Sequence, residues 1–140
     1  MIQLRIKARK SNTGKVLKFV TAELEKQKFP AVLYPDILVA TEEIYVNIAE
    51  HAYPPGQEGY ITLTVLVERE AVIRFEDMGK PYNPLETAPP NLDVPLIERA
   101  IGGLGIHFVK NLMDDCMYKY TDNKNIFTMT KKKPRTCERI

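Results

Sequence analysis

Apolar and polar residues alternate from the start of the chain. Ile2, Leu4, Ile6 and Ala8 fall on one side and Gln3, Arg5 and Lys7 on the other, the period of two expected of a half-buried β-strand. The period then lengthens to that of a helix. Val16, Leu17, Phe19, Val20 and Leu24 follow Ser11-Asn12-Thr13, a run able to cap a helix start, and Lys28-Phe29-Pro30 marks the end. A second helix is predicted from Pro35 and Asp36, with Ile37, Thr41, Ile44 and Ile48 at helical spacing, stopping at Tyr53-Pro54-Pro55-Gly56.

Alternation returns in Ile61, Leu63, Val65 and Val67 and again from Ala71 to Phe75. Only the charged turn Glu68-Arg69-Glu70 separates the two runs, so a hairpin is the economical reading. Between Met78 and Ala100 the pattern breaks under Pro81, Pro84, Pro89, Pro90 and Pro95, leaving room for one short helix from Val94 to Ile101. A loop of this length in a small domain is typically a lid or a binding loop. Gly102 to Gly105 opens a helix carrying Ile106, Val109, Leu112 and Met113, and Cys116–Tyr120 and Ile126–Thr130 read as a closing hairpin. Because helices and strands come in groups instead of alternating, the expected class is α+β: a two-layer α/β sandwich with a mixed, largely antiparallel sheet covered on one face by helices. The open face would need another partner or a polar surface.

At 140 residues, 44% hydrophobic and 27% charged, the chain is long enough for one core and too short for two. The formal charge of +2 gives no global nucleic-acid footprint. Part of the basic excess lies in Lys131-Lys132-Lys133-Pro134-Arg135, which reads as a solvated, frayed tail because it follows the last alternation and carries no aromatic residue. Cys116 and Cys137 offer neither a disulfide framework nor metal-ligand spacing. With no signal-peptide core at the N-terminus and no apolar run of membrane-spanning length, the expectation is a cytoplasmic protein without a membrane partner.

Three islands carry candidate chemistry. Glu43 and Asn47 stand four apart on the second helix and so project about 40 degrees apart on a face distinct from the apolar one. An amide oxygen is a hard ligand suited to magnesium, and a carboxylate one turn earlier can accept a hydroxyl proton. Asp77 ends an apolar strand before Met78-Gly79-Lys80-Pro81. An ionised carboxylate there would accept from the exocyclic amine of adenine, where guanine presents a carbonyl, and Gly79 would allow close backbone approach or positive φ. Gly102-Gly103-Leu104-Gly105 at a helix entry can present backbone N–H groups to phosphate oxygens, although no P-loop lysine follows. Each island alone is equally the wet side of a helix, a common turn or a roomy helix entry. His51 and His107 are expected to be packed histidines, and no Cys/His pair suggests zinc.

The strings Ala40-Thr41-Glu42-Glu43-Ile44-Tyr45-Val46-Asn47-Ile48-Ala49-Glu50-His51-Ala52-Tyr53, Phe75-Glu76-Asp77-Met78-Gly79-Lys80-Pro81-Tyr82-Asn83-Pro84 and Gly102-Gly103-Leu104-Gly105-Ile106-His107-Phe108-Val109-Lys110-Asn111-Leu112-Met113-Asp114 resemble the N, G1 and G2 boxes of anti-sigma factor serine/threonine kinases, within the GHKL (histidine-kinase-like) ATPase superfamily. The resemblance spans nearly the whole chain. It implies a Bergerat-type ATP-binding fold over residues 1–132 followed by a basic tail, 133–140, and a lid at 85–101. It further implies Glu43 as catalytic base, Asn47 as magnesium ligand, Asp77 and Gly79 at the adenine, and Gly103, Leu104 and Gly105 at the phosphates of ATP. Proteins of this kind commonly act as homodimers that hold a sigma factor and phosphorylate a serine or threonine of a small anti-anti-sigma (STAS) partner, without touching nucleic acid directly.

Two positions depart from the family pattern. Asn83 stands where an Asp is frequent, and Asn123-Lys124 replaces a Gly-Thr pair before the last strand. Asn123 suits a left-handed turn, while Lys124 would remove a hydroxyl from the adenine pocket. The competing expectation is a non-catalytic binding module that uses nucleotide only to shape a protein-binding surface; a plain ATPase is the weaker third, since no transducer domain follows.

Overall fold

The computed structural model describes residues 1–86 and 108–134. The alternating runs form strands β1 (Ile2–Lys7), β2 (Tyr60–Val67), β3 (Glu70–Asp77), β4 (Asp115–Thr121) and β5 (Lys124–Lys132), and the helical runs form α1 (Thr13–Lys26) and α2 (Tyr34–His51). Residues 108–112 are helical as well. The predicted short helix at 94–101 and most of the predicted lid lie outside the described residues; within them, 84–86 make a single 3-10 turn.

The strands form one sheet in the order β1-β2-β3-β5-β4. Every pairing among the described strands is antiparallel, so the mixed sheet anticipated from the sequence resolves to an antiparallel one. The β4–β5 hairpin closes through Asp122 and Asn123, both at positive φ (53° and 62°), the left-handed pair that a two-residue hairpin turn demands. Asn123 thus takes the position expected of it.

Inward positions of the sheet, Ile61, Leu63, Val65, Ala71, Ile73, Phe75, Phe127 and Met129, are buried against Val16, Val20 and Leu24 of α1 and Ile37, Ala40, Ile44 and Tyr45 of α2. Burying each of these large aliphatic side chains stabilises by about 1.5–3 kcal/mol, so a strand that slipped one residue would forfeit its whole inner row. The outer face carries Thr62, Thr64, Arg74, Glu76 and Thr128, with Arg74 Nε 3.2 Å from Glu76. Leu66, Val72, Ile126 and Met117 share that face, so it mixes polar and apolar side chains.

The termini of the helices depart from the simplest reading. The Asn12 side chain makes no capping bond to α1; its Nδ2 donates to the carbonyl of Lys7 at 2.9 Å, tying the helix entry to the end of β1. Tyr45 reinforces that tie from α2. Fully buried, its hydroxyl approaches the carbonyl oxygens of Lys7 (3.0 Å) and Arg9 (2.8 Å) and accepts the Arg9 N–H (3.3 Å). The basic run is also less solvated than predicted. Lys131 and Lys132 belong to β5, with Lys131 Nζ 3.2 Å from Asp36 and donating to the Leu112 carbonyl, while Lys133 Nζ lies 5.9 Å from the centroid of the Phe29 ring. Residues 135–140 lie outside the described residues.

Tyr45→Phe keeps the ring and removes the hydroxyl that these backbone groups share. The expected loss is about 1–2 kcal/mol, seen as a lower urea midpoint at unchanged m; an unchanged midpoint would show that ring packing alone matters.

Candidate functional site

The site begins where the apolar register of β3 ends. Ala71, Ile73, Phe75 and Asp77 occupy successive inward positions, so the same alternation that builds the core carries a carboxylate into it. Asp77 is 5% exposed. Its register partner on β5 is Asn125, the inward residue above Phe127 and Met129. One layer below, Phe75 and Phe127 are also paired and meet edge to face at 6.5 Å, giving the two polar residues an apolar floor.

Asp77 Oδ1 accepts from Asn125 Nδ2 and from the Gly79 N–H, each at 2.9 Å. Among the described residues, Oδ2 accepts nothing. Burial pushes the Asp77 carboxyl above its ordinary value near 3.8, and the bonds from Asn125 and Gly79 pull the other way. Since both partners are donors, they favour the ionised, acceptor-only form.

Beside this pair runs the last part of α2. A cleft is lined by Asn47, Ile44, Ile48, His51 and Ala52 from α2 and by Asp77, Lys80, Tyr82, Pro84, Tyr118, Asn125 and Phe127 opposite. Asn47 is 7% exposed, and its amide makes no hydrogen bond among the described residues. This differs from the expected wet helix face: Asn47 belongs to the buried stripe of α2, with Ile44 and Tyr45. The room at the centre of the cleft is about 20 Å³, space for about one water.

Gly79 stands just behind the cleft, lining an outer groove with Tyr53, Glu50 and Lys80. A Cβ at this position would sit 2.2 Å from the Ala52 carbonyl oxygen, and Lys80 N–H donates to that same oxygen at 3.3 Å. Its φ is not positive, so close approach of the backbone to the end of α2, not left-handed geometry, is what requires glycine.

The remaining predicted residues separate. Glu43, one turn before Asn47, is half-buried and is not among the residues that line the cleft; burial, then Glu42 and Glu50, push its carboxyl above the usual 4.5. Gly103, Leu104, Gly105 and His107 lie outside the described residues. His51 is not the packed histidine that was expected. Its side chain is 53% exposed, at the cleft mouth, with its ring 6.4 Å from that of Tyr82. Lys124 does not enter this cleft. It lines a groove of the outer face with Arg5, Thr62 and Glu76, because odd-numbered residues of β5 point inward; the residue that meets Asp77 is Asn125. Asn83 closes a local turn, its Oδ1 accepting from Leu85 N–H at 2.9 Å.

Sequence reasoning missed Asn125, Tyr118 and Tyr82. The available signal was the parity of the last strand: an amide in phase with Phe127 and Met129 has to face the core. Among the described residues, no cluster of three or more His, Cys, Asp or Glu side chains offers a self-sufficient metal site, and no helix is long and apolar enough to cross a membrane.

Residues 6–131 match the model of the histidine kinase-like ATPase domain, and the chain belongs to that family. It is 28% identical over 106 residues to the serine/threonine-protein kinase BtrW of Bordetella bronchiseptica, covering 75% of each chain. It is 30% identical over 102 residues to the serine-protein kinase RsbW of Listeria monocytogenes, covering 69% of this chain and 64% of that one. Among solved structures, the histidine kinase domain of the blue-light activated histidine kinase from Erythrobacter litoralis EL346 superposes with a TM-score of 0.54 at 13% identity, covering 88% of this chain and 60% of that one; this likeness concerns the fold.

Asp77→Asn retains an acceptor at Oδ1 for Asn125 and Gly79 while removing a charge that burial disfavours. A folded-state value raised above the unfolded one means that the native state binds the proton more tightly, so stability falls as pH rises through the window between them. Thermal unfolding should show that slope, beginning near 3.8, diminished in the variant and the midpoint at pH 7 equal or higher. Gly79→Ala should cost about 1–3 kcal/mol, because the new methyl meets backbone rather than a movable side chain, and calorimetry would register the lowered melting temperature.

Proposed function

We propose that this histidine kinase-like ATPase domain is a magnesium-ATP-dependent protein serine/threonine kinase of the anti-sigma type. In this reading residues 1–132 form the kinase domain and 133–140 a basic tail. It works in the cytoplasm as a homodimer, holds a sigma factor and phosphorylates a small STAS-type anti-anti-sigma partner. The observation that carries the nucleotide reading is the convergence on one cleft of two polar groups that nothing in the described protein satisfies, the Asn47 amide and Asp77 Oδ2. Naming BtrW and RsbW as protein kinases supports the choice of a protein hydroxyl as acceptor.

Asp77 Oδ2 would accept from the exocyclic amine of adenine, with the Phe75–Phe127 floor and the flank of α2 excluding water from the base. The Asn47 amide oxygen is the protein ligand offered to magnesium, a hard oxygen donor that leaves the remaining positions to phosphate and water. When bound, magnesium-ATP supplies the terminal phosphoryl group and a metal that offsets charge on the phosphates. Gly103, Leu104 and Gly105 are assigned to the phosphates by motif. Glu43 orients the acceptor hydroxyl and takes its proton as the hydroxyl oxygen bonds to the terminal phosphorus and the bridging oxygen departs with the diphosphate. Its displaced titration suits that role, since a carboxyl held above the ordinary range is a stronger base once ionised.

One observation favours a second reading. The Glu43 side chain does not line the cleft, as it need not in a module that uses nucleotide only to shape a binding surface. Glu43→Gln separates the two. With labelled ATP and the STAS partner, the kinase reading expects transfer to a serine or threonine that drops by about 10²-fold or more in the variant while ATP affinity stays within about twofold. Transfer by the native chain should rise with pH and reach half its plateau above 4.5, the ordinary carboxyl value; ATP binding without any transfer would leave the binding module.

A further inference from the structure

Among the described residues, Asn125 makes more hydrogen bonds at the site than Glu43, Asn47, Asp77 or Gly79. Its Nδ2 donates to Asp77 Oδ1 at 2.9 Å, to the Lys80 carbonyl at 2.9 Å and, more weakly, to the Gly79 carbonyl at 3.3 Å. Its Oδ1 accepts from the Tyr82 N–H at 3.1 Å and from the Tyr118 hydroxyl. A primary amide has two N–H donors and two acceptor lone pairs, and every one of them is engaged. These neighbours also fix which way the amide faces: Oδ1 meets two donors, and Nδ2 meets only acceptors.

With its capacity filled, Asn125 has nothing left to offer a base directly. It acts on the pocket through others. Its N–H holds Asp77 Oδ1, which leaves Oδ2 as the carboxylate oxygen without a partner among the described residues. Its other contacts span residues 79, 80 and 82, so the segment that forms one wall of the cleft is fastened to β5. An unpartnered carboxylate oxygen favours a base edge that presents a donor: the amine of adenine fits, and the C6 carbonyl of guanine would face a carboxylate with no proton between them.

We infer that Asn125 is a positioning residue for purine selection, fixing Asp77 as an ionised acceptor and pinning the 79–82 wall so that the cleft admits adenine nucleotides and rejects guanine nucleotides. The inference rests on the nucleotide-binding reading above and concerns a different residue from those that the motifs name.

Fluorescent ribose-labelled ATP and GTP, titrated against the native chain, Asn125→Leu and Asn125→Ser, provide the test. The native chain should bind the ATP probe at least tenfold more tightly than the GTP probe. Both variants should keep a cooperative unfolding transition, lose about tenfold in ATP affinity and bring the ATP-to-GTP ratio close to one. The serine variant, small enough to fit without displacing neighbours, decides the matter if the leucine variant does not fold. A merely structural Asn125 would lower the melting temperature of both variants and leave the ratio untouched, which overturns the inference, as would a native chain indifferent to the purine or the failure of both variants to fold. A native chain that binds neither probe defeats the nucleotide reading itself and this inference with it, whereas ATP preference retained in both variants defeats this inference alone.

Discussion

A carboxylate and an amide stand side by side at the inner ends of two neighbouring antiparallel strands, over a floor of phenylalanine, and most of the site is arranged around keeping them there. Carrying Asp77 into that environment costs several kcal/mol unless its oxygens are bonded. Two donors offset the cost at one oxygen: Asn125 from the next strand, and the Gly79 N–H from the chain that has just left β3. The second donor is available only if the chain turns back immediately, and turning back brings residue 79 against the Ala52 carbonyl. The glycine, the end of α2 and the placement of Asn47 are therefore consequences of one buried charge.

That dependence also accounts for where the cleft lies. The cleft lies at the end of the sheet where the inward row changes from Phe75 and Phe127 to Asp77 and Asn125. There α2 brings its own polar residue, Asn47, to the cleft beside Ile44 and Ile48.

The architecture was legible because each inward row is long and the cost of misplacing it is large. Strands at 2–7, 60–67 and 70–77 and helices at 13–26 and 34–51 follow from period alone, within a residue or two. What the sequence hid depends on pairing between distant strands. Asn125 next to Asp122 and Asn123 reads as one more turn residue, and only the register Asp77↔Asn125 gives it a partner 48 positions away. The same parity turns Lys124 outward, contrary to its expected place in the adenine pocket. His51 and Asn47, on the last turns of one helix, exchanged their expected environments because the buried stripe of α2 is set by where the sheet lies beneath it, which no helical projection records. The glycines of the third island, which carried much of the resemblance, lie outside the described residues.

Asp77 in the cleft and Glu43, one turn before Asn47, are both held above their ordinary values, and the causes differ. Asp77 is raised by burial and restrained by two donors, a combination that preserves an ionised acceptor where the dielectric would otherwise protonate it. Glu43 is raised by burial and by its acidic neighbours Glu42 and Glu50, so what surrounds it favours taking up a proton. A group that must stay charged to read a base needs the first environment; one that must gain and release a proton needs the second. Under the proposed kinase reading, the surroundings of Glu43 suit a proton acceptor, whereas a nucleotide-gated binding module would call only on Asp77 and Asn47.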